Sequence, residues 1–222
     1  MIKPSEARIH AHICADGYTY TSVARRNEAD IKNNFRKSIF RKYYHVRYSN
    51  TQILLKRLFQ KDVKEAYKRK AFLVANNEVE VQGKWIFDRL RGMGALDSHS
   101  WRIDSQIFEG YKKLQLEWLK AFFDDEGTVD TSRKRVRIKS VNKNGLEQIG
   151  IMLSQVGIKS VITGPNSDKT WYLTVNKGDL IKFSKFIGFR HVKRKIKLKA
   201  LVRPLLSFNS ALSNGSHGKR ES

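Results

Sequence analysis

The sequence has a single cysteine, only three prolines and fewer than half as many acidic as basic residues. Cys14 alone cannot build an intramolecular disulfide framework or a cysteine-rich zinc site, so a reducing compartment is expected. No apolar run reaches the roughly 18 residues that a membrane-spanning helix needs. Residues 1–6 lack the apolar core of a secretory signal. We therefore expect an intracellular, cytoplasmic protein with no membrane partner.

Positive charge is the dominant feature of the composition. The 44 Lys and Arg residues outnumber the 21 Asp and Glu residues and give a formal net charge of +23. An excess this large attracts polyanions over long distances. Nucleic acid is the leading candidate, and an anionic membrane surface is the alternative. The basic stretches have strand-like rather than amphipathic-helical spacing, which favours nucleic acid and an association with the nucleoid.

Two short segments share one pattern, an apolar helical stripe with small residues that ends in an acid followed by glycine. They are IHAHICADG at residues 9–17 and LKAFFDDEG at residues 119–127. The apolar stripe predicts that each helix buries one face in its own half of the protein. Alanines on the neighbouring face, among them Ala11, Ala15 and Ala121, would let the two helices approach closely.

Pairing of these helices would bring Asp16 and Glu126 together at one end. A glycine directly after each acid predicts a helix that ends in a left-handed turn, with the carboxylate at the helix mouth. Either copy alone could be an ordinary turn at a helix end. Two copies, each opening the same order of elements in a basic chain, favour paired metal-binding carboxylates.

The order of predicted elements is αββαββα in each half, which indicates an α+β fold with a pseudo-two-fold repeat. Strands are predicted at residues 18–24, 39–48, 70–74 and 79–82, and again at 128–130, 135–140, 159–163 and 171–175. Asn50 or Thr51 is predicted to cap the helix that follows the second strand. The expected organisation is a first half at 1–97, a linker at 98–112, a second half at 113–206 and a disordered tail at 207–222, with a basic helix over about 193–202.

The two segments resemble the motifs of the LAGLIDADG homing endonucleases, in the single-chain, two-motif form encoded by introns and inteins, of the archaeal type. Matching positions in the first copy are Ile9, Ala11, Ile13, Ala15, Asp16 and Gly17. Those in the second copy are Leu119, Ala121, Asp124, Gly127 and Glu126, the last a common replacement for the acid. The departures are His10, His12, Cys14, Lys120 and Asp125, which affect the expected packing of the helix interface.

The resemblance implies a monomeric, site-specific double-strand DNA endonuclease with a long, asymmetric target, which leaves short 3′ overhangs. It implies antiparallel sheets that form a saddle on DNA with helices behind them. Asp16 and Glu126 would bind metal together with the backbone carbonyls of Ala15 and Asp125. Hard divalent cations suit phosphodiester hydrolysis and carboxylate ligands, so Mg²⁺ is expected, with Mn²⁺ or another divalent cation as a substitute. Candidates for a basic or polar residue near the attacking water are Ser49, Lys139 and Lys193.

Period-two alternation supplies the evidence for DNA-facing strands. Basic and polar side chains fall on one face of each strand and apolar ones on the other, as expected for a sheet with one face on the core and one on a polyanion. The candidate contacts are Arg41, Tyr43, His45, Arg47 and Ser49 in the first half, and Arg133, Arg135, Arg137 and Lys139 in the second. Lys68 and Lys70 are expected to contact phosphates.

Two alternatives remain open from the sequence. His10 and His12 are two residues apart on a helix and point in different directions, so packing roles are favoured over metal binding. The alternative to cleavage is a catalytically silent DNA- or RNA-binding protein on the same scaffold, such as an intron maturase or a regulator. The target site, the host gene, the origin from an intron or an intein, and the residue that activates water are not determined by the sequence.

Overall fold

A computed structural model describes residues 1–25, 40–74 and 77–215, with side chains in the last range described through residue 206. In the first half, the elements are α1 Pro4–Asp16, β1 Gly17–Arg25, β2 Phe40–Ser49, α2 Ile53–Tyr67, β3 Phe72–Val74, β4 Glu78–Gln82 and α3 Lys84–Gly92. The αββαββα order predicted for this half is confirmed. The first residue of the strand predicted at 39–48 lies outside the described residues.

The second half repeats this order. Its elements are α5 Lys112–Glu126, β5 Thr128–Asp130, β6 Arg135–Ser140, α6 Lys143–Gln155, β7 Val161–Thr163, β8 Trp171–Val175, α7 Leu180–Phe186 and a final helix, α8 Val192–Gly215. A short helix, α4 Ser105–Phe108, lies between the halves, inside the segment expected to be a linker. The α+β class is therefore confirmed, and α8 follows the repeated unit as an addition.

The strands of the described residues form two four-stranded antiparallel sheets with the same order. The first sheet is β1-β2-β4-β3 and the second is β5-β6-β8-β7. Tyr18 and Thr128 are equivalent, because each lies two residues after the acid of its motif. Tyr18 pairs with Arg47 of β2, and Thr128 pairs with Arg137 of β6. This register makes Arg47 and Arg137 structural equivalents.

The core lies between the helices and one face of each sheet. Val46 and Val136, from the central strands, and Phe59 and Ile149, from the helices behind them, are fully buried. Trp101 is also buried, as predicted for the connection between the halves. In the described part of the chain, no helix has the length and hydropathy needed to cross a membrane.

Two predictions about helix ends are wrong. Gln52, not Asn50 or Thr51, occupies the cap position of α2, and Asn50 instead accepts the Gln52 backbone N–H at 2.8 Å in a turn before the helix. The tail predicted to be disordered from residue 207 is helical to Gly215. Leu201 and Leu205 continue the apolar stripe of α8, and extension of an existing helix adds a hydrogen bond for each further residue. Residues 216–222 of that tail lie outside the described residues.

Candidate active site and nucleic-acid surface

The two motif helices, α1 and α5, pack side by side between the halves. Ala11 and Ala121 are fully buried in them, as the alanine pattern predicted. Small side chains allow the two backbones to approach closely. Asp16 and Glu126 are the last residues of the two helices, so the pairing places both carboxylates at the same end.

His10 is a packing residue of this interface, as predicted. The Trp118 indole N–H donates to His10 Nδ1 at 2.9 Å, and His10 Nε2 lies 3.0 Å from the Met93 carbonyl oxygen, to which it can donate. Burial lowers the pKa of His10 to about 4. A neutral imidazole with one donor and one acceptor fits both partners, so both ring nitrogens are satisfied.

Charged side chains tie the two halves together further from the acids. Arg8 forms ion pairs with Asp62 of α2 and with Glu117 of α5, the latter at 2.8 Å. Glu117 is also paired with Arg190 at 2.7 Å. This cluster fixes the position of α1 relative to α5 and to the segment that leads into α8.

Asp16 and Glu126 are largely buried, and their surroundings disfavour the ionisation of both carboxyl groups. Burial, followed by the charge of Asp125, raises the pKa of Asp16 to about 6. Burial and the charges of Asp16 and Asp125 raise the pKa of Glu126 to about 8. Among the described residues, no side chain donates a hydrogen bond to Glu126. Two close acids with so few donors form a site that favours a cation.

The glycines after the acids are needed for close packing, and the prediction of left-handed turns is wrong. Gly17 has φ −115° and Gly127 has φ −69°, so both are extended. A Cβ on Gly17 would lie 2.6 Å from the Ile13 Cα and 2.8 Å from the Arg47 carbonyl oxygen. A Cβ on Gly127 would lie 2.4 Å from the Phe123 carbonyl oxygen. At both junctions the backbone passes directly from the helix into the strand and lies against the last helical turn. A side chain on the glycine has no room there.

The other two acids of the second motif are used inside the protein. Asp124 Oδ1 accepts the backbone N–H groups of Arg190 and His191 at 2.6 and 2.9 Å, just before α8 begins. The Asp125 side chain is buried against the first half and hydrogen-bonds to Tyr48 at 2.6 Å. Neither side chain is therefore free to act as a metal ligand in place of Glu126. This agrees with the sequence pattern, in which Glu126 is the acid directly before the glycine.

The basic residue that α8 brings to the acids is Arg194, and not the predicted Lys193. Arg194 donates a hydrogen bond to the Asp124 carbonyl oxygen in the last turn of α5, and its charge lowers the pKa of both Asp16 and Glu126. Lys193 is exposed. From the sequence, Arg194 is expected only to contact phosphates, like its basic neighbours in this helix. Adjacent residues of a helix point about 100° apart, so only the docking of α8 decides which one faces the acids.

Ser49 and Lys139 occupy equivalent positions, each at the end of the strand next to the acid of its half. Lys139 and Glu126 line one cavity of about 340 Å³. The Lys139 ammonium lies 2.5 Å from Asp168, a contact that raises the pKa of Lys139. Ser49 is half-buried at the end of β2. Lys139 therefore shares a cavity with Glu126, and Ser49 directly follows Tyr48, the strand partner of Gly17 after Asp16.

The outer face of the first sheet is polar, but two of its predicted DNA contacts are held by acids. Arg47 forms ion pairs with Glu78 at 2.9 Å and with Glu80 at 2.5 Å. His45 is buried, with its Nδ1 3.1 Å from Glu80 and its ring stacked on Tyr20 at 4.4 Å between ring centroids. The strand register places all of these side chains on the face opposite Val46, as the alternation predicted. Glu78 and Glu80 come from β4 and could not be placed there without the register.

The remaining first-half candidates are more open to solvent. Arg41 is exposed, and its guanidinium lies 5.1 Å from the ring centre of half-buried Tyr43. Lys68 is exposed at the end of α2, and Lys70 lies just before β3 rather than in it. Lys70 lines an open groove of about 460 Å³ along the outer β3 and β4 edge. These positions suit contacts with a phosphate backbone.

The second sheet carries its basic residues on one face, as predicted. Arg135, Arg137 and Lys139 alternate with buried Val136 and Ile138. Arg135 is paired with Asp130 at 3.1 Å, and exposed Arg133 lies 3.9 Å from the same acid.

Arg137 makes a different kind of contact. It stacks over the Tyr172 ring at 4.4 Å. This contact leaves the donors of Arg137 available, whereas its equivalent Arg47 is held by two carboxylates.

The donor set at the acids suits a hard divalent cation with few protein ligands. In the described residues, no group of three or more His, Cys, Asp or Glu side chains is arranged to hold a metal ion. Mg²⁺ keeps several waters and commonly takes one or two carboxylates plus substrate phosphates. The single carboxylate of each half fits that mode, and the raised pKa values show that each acid lacks a strong cationic partner of its own.

Comparison with known proteins gives both sequence and structural relatives. Residues 113–188 match a family model described as a LAGLIDADG-like domain. The homing endonuclease I-ApeI of Aeropyrum pernix is 29% identical, and the match covers 74% of this chain and 81% of that protein.

Solved structures share the fold. A structure of I-DmoI in complex with DNA and Mn superposes with a TM-score of 0.60 at 21% identity, covering 83% of this chain and 96% of that one. Full-length DUF199/WhiA from Thermatoga maritima gives a TM-score of 0.50 at 14% identity, covering 96% of this chain and 68% of that one. At these identities the likeness establishes the fold alone. The comparisons therefore show a LAGLIDADG-like domain at residues 113–188 and, for most of the chain, similarity to a homing endonuclease in sequence and to I-DmoI in fold.

Proposed function

We propose that this protein is a site-specific endonuclease that uses divalent metal ions to hydrolyse both strands of double-stranded DNA. The observation that carries the proposal is the position of Asp16 and Glu126. They end two paired helices, between two sheets whose outer faces carry Arg and Lys side chains. The sequence relative I-ApeI is a homing endonuclease, which supports the same activity here.

Each acid would serve one scissile phosphate. Asp16 and Glu126 would each hold Mg²⁺, or Mn²⁺ in its place, with the backbone carbonyls of Ala15 and Asp125 as further ligands. A bound divalent cation supplies an activated water and stabilises charge at phosphorus. Lys139, which lines a cavity with Glu126, would orient or polarise that water, and Ser49 would act in the same way on the Asp16 side. We further propose that the products carry short 3′ overhangs.

The two sheets would follow the DNA from either side of the acids. Arg137, stacked on Tyr172, is suited to guanine contacts in the major groove. Arg41, Lys68 and Lys70 are suited to phosphates. Because the two sheets carry different side chains at equivalent positions, the target would be long and asymmetric, and one monomer would cut both strands. We propose that the protein acts inside the cell, where its DNA target is found.

The decisive experiment is cleavage of a randomised DNA library with Mg²⁺, followed by mapping of the product ends. Asp16→Asn and Glu126→Gln should abolish cleavage or restrict it to nicks, while DNA binding in a gel-shift assay survives. Glu147→Gln, an exposed acid on α6, is the matched control and should cleave like the wild type.

Two results would contradict the metal assignment: full double-strand cleavage by either site variant, or cleavage by the wild type in excess EDTA. A wild type that binds DNA specifically but leaves every site uncut in Mg²⁺ and Mn²⁺ would identify the alternative, a silent nucleic-acid binder on the same scaffold.

A further inference from the structure

Asp125 belongs to the second motif helix, but its side chain is bound inside the first half. Its carboxylate accepts a hydrogen bond from the Tyr48 hydroxyl at 2.6 Å and one from the Asn50 amide at 3.1 Å. His12 Nδ1 lies 2.6 Å from its other oxygen. Burial disfavours the charged imidazole, but the charge and hydrogen bond of Asp125 outweigh it and raise the pKa of His12. The cluster is therefore a buried, hydrogen-bonded contact across the helix pair.

Asn50 connects this cluster to Asp16. Its side-chain NH₂ group lies 3.1 Å from Asp125 Oδ1 and 3.5 Å from Asp16 Oδ2. The oxygen of the same amide accepts the Gln52 N–H at 2.8 Å. An amide anchored through both its oxygen and its nitrogen cannot rotate freely, so it presents its N–H groups to Asp16 in one orientation.

Within the described ranges of the chain, the second half has no counterpart of this arrangement. Counted from the two acids, Ala15 stands where the second half has Asp125, and Phe122 stands where the first half has His12. Ser140 takes the place of Asn50 and accepts the Asn142 N–H at 3.1 Å, the same turn contact that Asn50 makes. A serine has no second polar group to reach Glu126. The two acids, equivalent in the fold, are thus held differently.

We infer that Asn50, held by Asp125, is a positioning residue for Asp16, so that the two carboxylates bind their metal ions unequally and the two DNA strands are cut at different rates. This inference rests on the proposed function. Outer groups that orient a metal ligand typically contribute about 10- to 100-fold to metal affinity or activity. The Asp16 side has such a group, and the Glu126 side lacks one among the described residues.

The variant Asn50→Ser tests this inference. Serine is the residue that the second half has at the equivalent position, Ser140. Serine can keep the turn contact to Gln52, as Ser140 does with Asn142, but it removes the amide donors. Ser140→Ala is the matched control, because it removes a hydroxyl from the second half that makes no hydrogen bond to either acid in the described structure. Asn50→Gln, which keeps an amide but displaces it, is a second variant for use if the first unfolds.

Two measurements report on the inference. Titration of the DNA-free protein with Mn²⁺, followed by electron paramagnetic resonance, should show one of two sites weakened about 10- to 100-fold in Asn50→Ser. With each DNA strand end-labelled in turn, one strand should be cut slower by a similar factor, so that nicked DNA accumulates. Ser140→Ala should leave both the Mn²⁺ affinities and the ratio of strand rates at the wild-type values.

Equal slowing of both strands, or unchanged Mn²⁺ affinities in Asn50→Ser, would overturn the inference, since a merely structural role moves both sites together. The Mn²⁺ titration does not need cleavage. If the wild type cuts no DNA, the proposed function fails, but the titration still decides whether Asn50 positions Asp16.

Discussion

Replacement of Glu126 by glutamine should stabilise the metal-free protein, and the gain should grow with pH. Burial and the charges of Asp16 and Asp125 raise the pKa of Glu126 from the ordinary 4.5 to about 8. At a pH between 4.5 and about 8, the Glu126 carboxyl keeps its proton in the folded protein but has lost it in the unfolded chain. The free energy of unfolding therefore falls as the pH rises through that window. Glutamine has nearly the same shape and no charge to desolvate.

The size of the stability gain follows from the change in the pKa of Glu126 on folding. Each tenfold change in proton affinity corresponds to about 1.36 kcal/mol, so the variant should be more stable by about 2 kcal/mol at pH 6, and by at most about 4 kcal/mol at pH 8. Near pH 4.5, where the carboxyl is protonated in the folded state, the difference should vanish. Saturating Mg²⁺ should stabilise the wild type and reduce the difference, because metal binds the folded carboxylates.

The assay is urea denaturation in EDTA at pH 5, 6, 7 and 8, followed by tryptophan fluorescence. Trp101 and Trp118 are both buried and report on unfolding of the interface between the halves. Glu147→Gln on the exposed surface of α6 is the control and should show a small difference, independent of pH. A variant that is less stable than the wild type at pH 8, or a gain that does not change from pH 5 to pH 8, would refute the reasoning.

Two further predictions concern the DNA surface and the helix ends. The affinity for DNA should fall steeply with salt, and Lys70→Ala should reduce the log-log slope by about 1, whereas Arg57→Ala, at an exposed position of α2, should not. A salt-independent affinity, measured by fluorescence anisotropy, would contradict a phosphate-dominated interface. Gly127→Ala should lower stability by about 1–3 kcal/mol, because its Cβ would lie 2.4 Å from the Phe123 carbonyl oxygen. Gly92→Ala meets open space and is the control in thermal unfolding; equal melting temperatures would show that the helix-to-strand junction can relax.

Several features could be predicted from the sequence because they depend on local periodicity. The helical stripe before each acid predicted α1 and α5, and period-two alternation predicted the outer faces of β2 and β6, including Arg41 and Arg137. Both periods are fixed by backbone geometry, which is the same wherever the segment lies in the fold. The repeat of these local patterns also indicated the pairing of Asp16 with Glu126.

Other features required the tertiary structure, because they depend on contacts between residues far apart in the chain. Gly17 and Gly127 are required by the space beside the last helical turn, not by a left-handed backbone. The selection of Arg194 over Lys193 follows from how α8 docks.

The repeated fold, the basic outer faces and the two acids could all be read from the chain, since each is encoded in short-range spacing. How the acids are held depends instead on contacts made in the folded protein. Asp125 finds its partners Tyr48 and Asn50 in the other half of the chain, and no spacing within either half encodes that contact. The asymmetry between the two acids arises because positions that are equivalent in the fold carry different side chains, and Asn50 and Asp125 meet only once the helices pair.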